Sequence, residues 1–405
     1  MKIWQKIIHG ILPAMLLSSS VGQIYAFTNF AADAAARVGC LLSTIQWAFS
    51  LGIFFLGMGA AFFGPLAERD IKKSSLLGML SFILGMVAAQ IGLIMQSAAL
   101  VLVGYGFLVG LGTGVVYITP VKTLMMWFPE RKGLASAVPI IFFGLGSTFA
   151  TWIYSALAHF NLQGQVFSAL AVIYTVTMAL GALLLKKPEG WSKAEATGSA
   201  GFSYAKLLRT PFFIRSWLFM LINISAGLCI IPLAKTFMAS DLVKYTAAVA
   251  TALVALAGVF NGGGRLVFAW SADKLKWRTE ILLWISAVSA LSVVSCTMWP
   301  MLFGGTMLLL NACYGAGFSV IPGILSDRFG MTDISKIHGA VLSAWGVAGL
   351  IGNQIALAIT SAWGLRALLI AIICFHLINL IFICFMMDRE MKKYKLQQLV
   401  NAGLQ

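Results

Sequence analysis

Arg265 stands in the stretch NGGGRLVFAW, a guanidinium inside a segment apolar enough for hydrocarbon. The run AAVATALVALAGVF on its N-terminal side carries no charge, and the next acid downstream is Asp273. A charge placed in hydrocarbon is costly, so it is retained for a partner or a substrate. Guanidinium presents a planar fork of donors that fits a carboxylate in a way an ammonium cannot. Asn261 lies four residues earlier, on the same face of a helix, and Tyr314 and Phe318 have the same spacing. The competing reading is that Arg265, about a turn and a half from the end of its segment, snorkels to the interface or closes a gate.

Other chemistry is hard to find. The six cysteines are scattered through apolar runs, and His9, His159, His338 and His376 show no metal spacing. GLGTG does not read as a phosphate loop, since no soluble strand precedes it. All thirteen acids fall in loops or at segment ends, whereas a cation exporter or a common proton relay needs a carboxylate within the membrane. An anion is therefore the simpler partner for Arg265. No enzyme, metal or cofactor is expected.

The elements that must position these residues follow from composition. The chain of 405 residues is 60% hydrophobic and 10% charged, with mean hydropathy +0.92. A soluble domain carries about a quarter charged residues. Twelve segments reach the ~20 apolar residues that a bilayer core requires: 10–32, 41–65, 75–96, 99–128, 134–158, 165–185, 212–234, 245–270, 279–298, 301–323, 338–362 and 364–387. Backbone groups in lipid must be satisfied within the segment, so these are helices. The N-terminus resembles a signal peptide, but eleven further segments argue for a retained first helix.

One set of loops holds twenty-two of the 28 basic residues and the alternate set four, leaving Lys122 and Arg265 within segments. The positive-inside rule puts both termini in the cytoplasm. The net charge of +15 is thus a topology signal, and no nucleic-acid partner is expected. The polar stretch 186–211 divides the chain into an N-terminal bundle, 1–185, and a C-terminal bundle, 212–390, followed by a tail, 391–405. A short surface helix is expected near Tyr204–Leu208. GPLAERDIKK after the second segment and AWSADKLKWR after the eighth align Glu68 with Asp273 and Arg69 with Lys274. Such internal repetition points to two pseudo-symmetric bundles with a substrate site between them.

Several stretches resemble the major facilitator superfamily, and within it the oxalate/formate antiporter family and its monocarboxylate-transporter relatives. They are QIYAFTNF in the first segment, GLGTGVVYITP with WFPERKGLASA, NGGGR, CYGAGFSVIPGILSDRFG and LSAWGVAGLIG. The resemblance implies an all-α membrane protein of twelve transmembrane helices, as two six-helix bundles with the major facilitator fold. Glu68 stands where that family usually has aspartate, and Ile71 and Lys276 stand where it has glycine.

By the same resemblance, Arg265 faces a central cavity and pairs with the substrate carboxylate, and Tyr25, Tyr117, Phe143, Tyr314, Phe318 and Trp345 line that cavity; ordinary helix packing is the alternative for each aromatic residue. Trp345 stands where the oxalate exchanger has a second cation, a lysine. One cation instead of two favours a monocarboxylate. Lys122 either supplies compensation or snorkels to the headgroups. Glu68, Arg69, Arg131, Asp273 and Lys274 are the expected gating residues, with Arg131 and the cations trailing each turn as partners for the acids. The expectation is a monomeric inner-membrane carrier of small carboxylates that rocks one bundle against the other, as antiporter, uniporter or proton symporter. The alternatives are a drug or sugar exporter and a transport-dead carboxylate sensor.

Overall fold

The computed structural model of the chain describes residues 3–189, 203–231 and 234–401, so residues 190–202 of the expected linker and 402–405 of the tail lie outside it. Eleven helices among the described residues are long and apolar enough to cross a membrane. The last of them, Ile334–Asn401, is interrupted at Gly364, whose φ of 79° and ψ of 176° leave the helical region. A residue with a Cβ rarely adopts that conformation, and the glycine separates two spans. The twelve spans are α1 (Ile3–Val38), α2 (Leu42–Arg69), α3 (Ile71–Ile94), α4 (Ala98–Trp127), α5 (Lys132–His159), α6 (Val166–Leu184), α7 (Pro211–Ile230), α8 (Ala247–Lys274), α9 (Glu280–Met298), α10 (Phe303–Phe329), α11 (334–363) and α12 (365–401). The short helix expected before α7 is present as Tyr204–Leu208.

Contacts gather the chain into two compact units. The first comprises Met1–Ser199 with Met331–Leu350, and the second Ala200–Gly330 with Ile351–Gln405. In the first unit, small residues let backbones meet. A Cβ on Gly114 would lie 2.0 Å from the Leu56 carbonyl of α2, and one on Gly339 of α11 would lie 2.1 Å from the Ala60 carbonyl. With lipid as apolar as the interior, such close packing replaces hydrophobic burial as the force between helices. A single residue, Asp70, connects α2 to α3, and its carboxylate caps α3 by accepting from the N–H groups of Lys72 and Lys73, each at 3.0 Å.

In the second unit α8 and α10 approach in the same way: a Cβ on Gly264 would lie 2.2 Å from the Ala312 carbonyl. The C-terminal part of α12 carries a set of ion pairs along one end of this unit. Arg215 donates to Glu390 at 2.6 Å, and Lys392 reaches Asp388 at 2.8 Å and Glu280 at 2.9 Å. Those two carboxylates, Asp388 first, raise the Lys392 pKa above its ordinary value.

Candidate functional site

Arg265 is buried, 3% exposed, in α8. Its Nε donates to the Asn261 side-chain oxygen at 2.9 Å, the pairing that the four-residue spacing anticipates. The tight crossing of α8 and α10 holds it there. A Cβ on Gly315 would lie 2.4 Å from the Asn261 carbonyl and 3.0 Å from Arg265 Cγ, so glycine makes room for the side chain against α10. The Ser319 hydroxyl donates to the Arg265 carbonyl at 2.9 Å. The guanidinium carbon sits 5.7 Å from the Phe318 ring centroid, within cation–π range, and Phe318 meets Tyr314 edge-on at 5.3 Å. The second unit thus brings together Asn261, Arg265, Tyr314 and Phe318. A buried guanidinium beside an amide and two aromatic rings is suited to a small planar anion.

The first unit assembles the other four predicted residues. α1 tightens to 3-10 geometry over Gln23–Ala26, the stretch that carries Tyr25. Gly22 packs so closely on α5 that a Cβ would lie 1.8 Å from the Phe143 carbonyl, which sets Phe143 beside Tyr25. Phe143 meets the Tyr25 ring edge-on at 5.7 Å and the Tyr117 ring edge-on at 5.2 Å. Trp345, on the part of α11 that belongs to this unit, closes the group at 5.6 Å from Phe143, 5.8 Å from Tyr117 and 6.3 Å from Tyr25. His338 adds a ring 6.3 Å from Tyr117. Sequence reasoning passed over it, because an isolated histidine in an apolar run carries no motif.

Lys122 departs from both of its expected roles. It is buried at 4% exposure and donates to the Glu68 carboxylate, itself 7% exposed. The other Glu68 oxygen accepts from the Ser335 N–H of α11 at 2.5 Å. Ser335 is in the first turn of α11, whose leading N–H groups have no intrahelical acceptor. Glu68 therefore neutralises a buried cation and caps a helix at once. Arg131, expected as its partner, is exposed and makes no side-chain ion pair among the described residues, and the same holds for Arg69. The cause is helical phase: Arg69 is one residue on from Glu68, turned about 100° away from the interior that Lys122 occupies.

The second acid–base turn follows expectation in one respect and departs in another. Asp273 accepts from Arg278, a cation trailing the turn, at 2.9 Å, and the same guanidinium also bonds Asp327 at the end of α10. Lys274 lies instead over the Trp270 ring, 3.4 Å from its centroid. One arginine thus ties the end of α8 to the end of α10.

A sequence model of the Major Facilitator Superfamily matches residues 11–309. The chain belongs to that superfamily. It is 26% identical over 403 residues to the oxalate:formate antiporter of Oxalobacter formigenes, covering 95% of this chain and 92% of that protein. An uncharacterised transporter of the superfamily from Escherichia coli, YhjX, is 26% identical over 354 residues, covering 84% and 85%. Human monocarboxylate transporter 11 is 26% identical over 293 residues, 66% of this chain and 60% of that one. Among solved structures, the Escherichia coli fucose:proton symporter FucP aligns with a TM-score of 0.69 at 14% identity, covering 93% of this chain and 97% of that one. The human organic anion transporter MFSD10 aligns with a TM-score of 0.68 at 11% identity, covering 92% and 98%. These structures share the fold. The protein is a multi-pass transporter of the inner membrane, with the lipid bilayer as its surroundings and a small molecule as its substrate.

Proposed function

We propose that the protein carries small organic monoanions, with monocarboxylates as the class, by alternating access of its two bundles. Arg265 binds the carboxylate, Asn261 holds the guanidinium in register, and Tyr314 and Phe318 wall the charge from water. Tyr25, Tyr117, Phe143 and Trp345 are substrate-contacting residues in the same reading. Glu68 with Lys122, and Asp273 with Arg278, act as latches whose opening accompanies turnover. Exchange, uniport and proton symport all fall within the reading. The protein acts as a monomer, without a cofactor and without changing its substrate chemically.

The observation that carries this reading is the buried guanidinium of Arg265, held by Asn261 and stacked near Phe318. An anion arriving there meets a planar fork of donors in a buried setting. The likeness to an oxalate:formate antiporter and a monocarboxylate transporter supports the substrate class. The test is uptake of labelled formate, acetate, lactate, pyruvate and oxalate into proteoliposomes. Arg265→Gln abolishes uptake, and Arg265→Lys leaves weak activity because charge survives but the fork is lost. Saturable, near-normal uptake by a normally inserted Arg265→Gln protein overturns the assignment.

A further inference from the structure

Within the second unit, α7 and α12 leave an apolar groove of about 430 Å³. Pro211, Arg215, Leu218 and Ile222 line it from α7, at the spacing of a single helix face. Ile378 and Phe382 line it from α12, 45% and 67% exposed, so the groove is open along its outer side. Phe382 belongs to Asn379–Cys384, where α12 takes the wider π geometry. Pro211 ends the polar connection, and from there to Ile222 the groove runs about 16 Å at about 1.5 Å per residue. That is half of a hydrocarbon core of ~30 Å, the depth of one leaflet.

The polar end of the groove is strongly basic. Arg215 donates to Glu390 at 2.6 Å, and Arg328 comes within 3.7 Å of the same carboxylate, so two guanidiniums share one acid. Arg389 and Lys393 follow Phe382 by seven and eleven residues, on its face of α12. Both are exposed, and neither forms an ion pair among the described residues. The neighbouring Asp388 is committed to Lys392 and Thr279. Cations thus outnumber acids where the apolar groove meets the headgroup region.

We infer that this groove is a binding site for an anionic phospholipid, with one acyl chain between α7 and α12 and the phosphate at Arg215, Arg389 and Lys393. The chain covers apolar side chains over the depth of its leaflet, and the phosphate oxygens accept from guanidinium and ammonium groups. A zwitterionic lipid brings the same chains, but its headgroup ammonium meets cations. Lipid held only by apolar contact shows no such headgroup preference. The lipid is held whatever anion the carrier moves.

The experiment is a competition between phosphatidylglycerol and phosphatidylcholine of identical acyl chains for the purified full-length protein, read as lipid adducts by native mass spectrometry. The wild-type protein retains phosphatidylglycerol at least about fivefold over phosphatidylcholine, the effect of one cation at an anionic membrane surface. Arg389→Gln with Lys393→Gln, both at exposed positions, brings that ratio toward one. Ile378→Trp, which places an indole in the open side of the groove, lowers retention of both lipids, and thermal unfolding without added lipid verifies that each variant is folded. Equal retention of the two lipids by the wild-type protein overturns the proposal. So does a folded Ile378→Trp protein that keeps every adduct, or glycerol phosphate displacing phosphatidylglycerol at equal concentration, the sign of a site for free anions. A wild-type dimer that Ile378→Trp converts to monomer overturns it as well, by assigning the groove to a second copy.

Discussion

Neutralising Glu68 exposes how much of the first unit depends on one carboxylate. In Glu68→Gln the amide oxygen still accepts from the Ser335 N–H, but the Lys122 ammonium loses its counter-charge while remaining buried. Removing one partner of a buried pair costs about 3–5 kcal/mol, most of it the penalty on the charge left behind. The reverse change is milder. In Lys122→Met the carboxylate keeps the Ser335 N–H, a hydrogen bond to a charged group worth about 1.5–3 kcal/mol. It also keeps the positive end of α11, worth up to about 2 kcal/mol in a partly buried setting. Combining Glu68→Gln with Lys122→Met removes both charges and relieves the stranded ammonium.

The expected order of stability is therefore wild type first, then Lys122→Met, with the double variant above Glu68→Gln. The coupling between the two sites is on the order of 2 kcal/mol, well outside the additivity seen for independent positions. Thermal unfolding of the purified protein in detergent, followed by tryptophan fluorescence across the four proteins, reads this order. Uptake assays on the same samples separate stability from turnover, and neutralising Glu68 slows turnover more than it weakens substrate binding. A double variant no more stable than Glu68→Gln alone refutes the argument, because the ammonium would then not be what the carboxylate is needed for.

Two further outcomes follow from the second unit and from charge counting. Arg278→Gln removes the cation shared by Asp273 and Asp327, whose side chains are 8% and 15% exposed, while Lys395 remains 3.9 Å from Asp327. It lowers stability by about 2–3 kcal/mol, measured by thermal unfolding, and Arg278→Lys recovers less than half because an ammonium cannot reproduce the two-pronged contact. A monoanion beside Arg265 makes a neutral pair, whereas oxalate leaves one negative charge over. Competition assays accordingly show monocarboxylates preferred to oxalate by at least about tenfold, and Trp345→Lys shifts the preference toward the dianion.

The spans were legible because each apolar run must satisfy its own backbone, which makes length and hydropathy sufficient evidence for a helix. The break between the last two was legible as well, since Gly364 sits at the gap between two runs and supplies the backbone conformation the corner needs. Pairings within one helix were equally accessible. Asn261 and Arg265 are four apart, and helix geometry alone puts their side chains together. None of these inferences requires knowing which way a helix faces.

Rotation about the helix axis is what the sequence withholds. In a soluble helix the polar face marks the outside, but here lipid and interior are both apolar, and periodicity carries little information about phase. Arg69 and Glu68 are adjacent in sequence, yet one is exposed and the other is buried against α4. The sequence offers Arg131 and the cations trailing the turn as partners for Glu68, whereas the structure pairs it with Lys122. The information was present in another form: Lys122 is a cation in the interior of one apolar segment, and Glu68 is an acid at the end of another. Neither is affordable alone in a low-dielectric setting, so each fixes the phase of its own helix by requiring the other. Charge pairing between apolar segments supplies the rotational constraint that hydropathy lacks, and in this chain it also selects the helix, α11, that Glu68 caps.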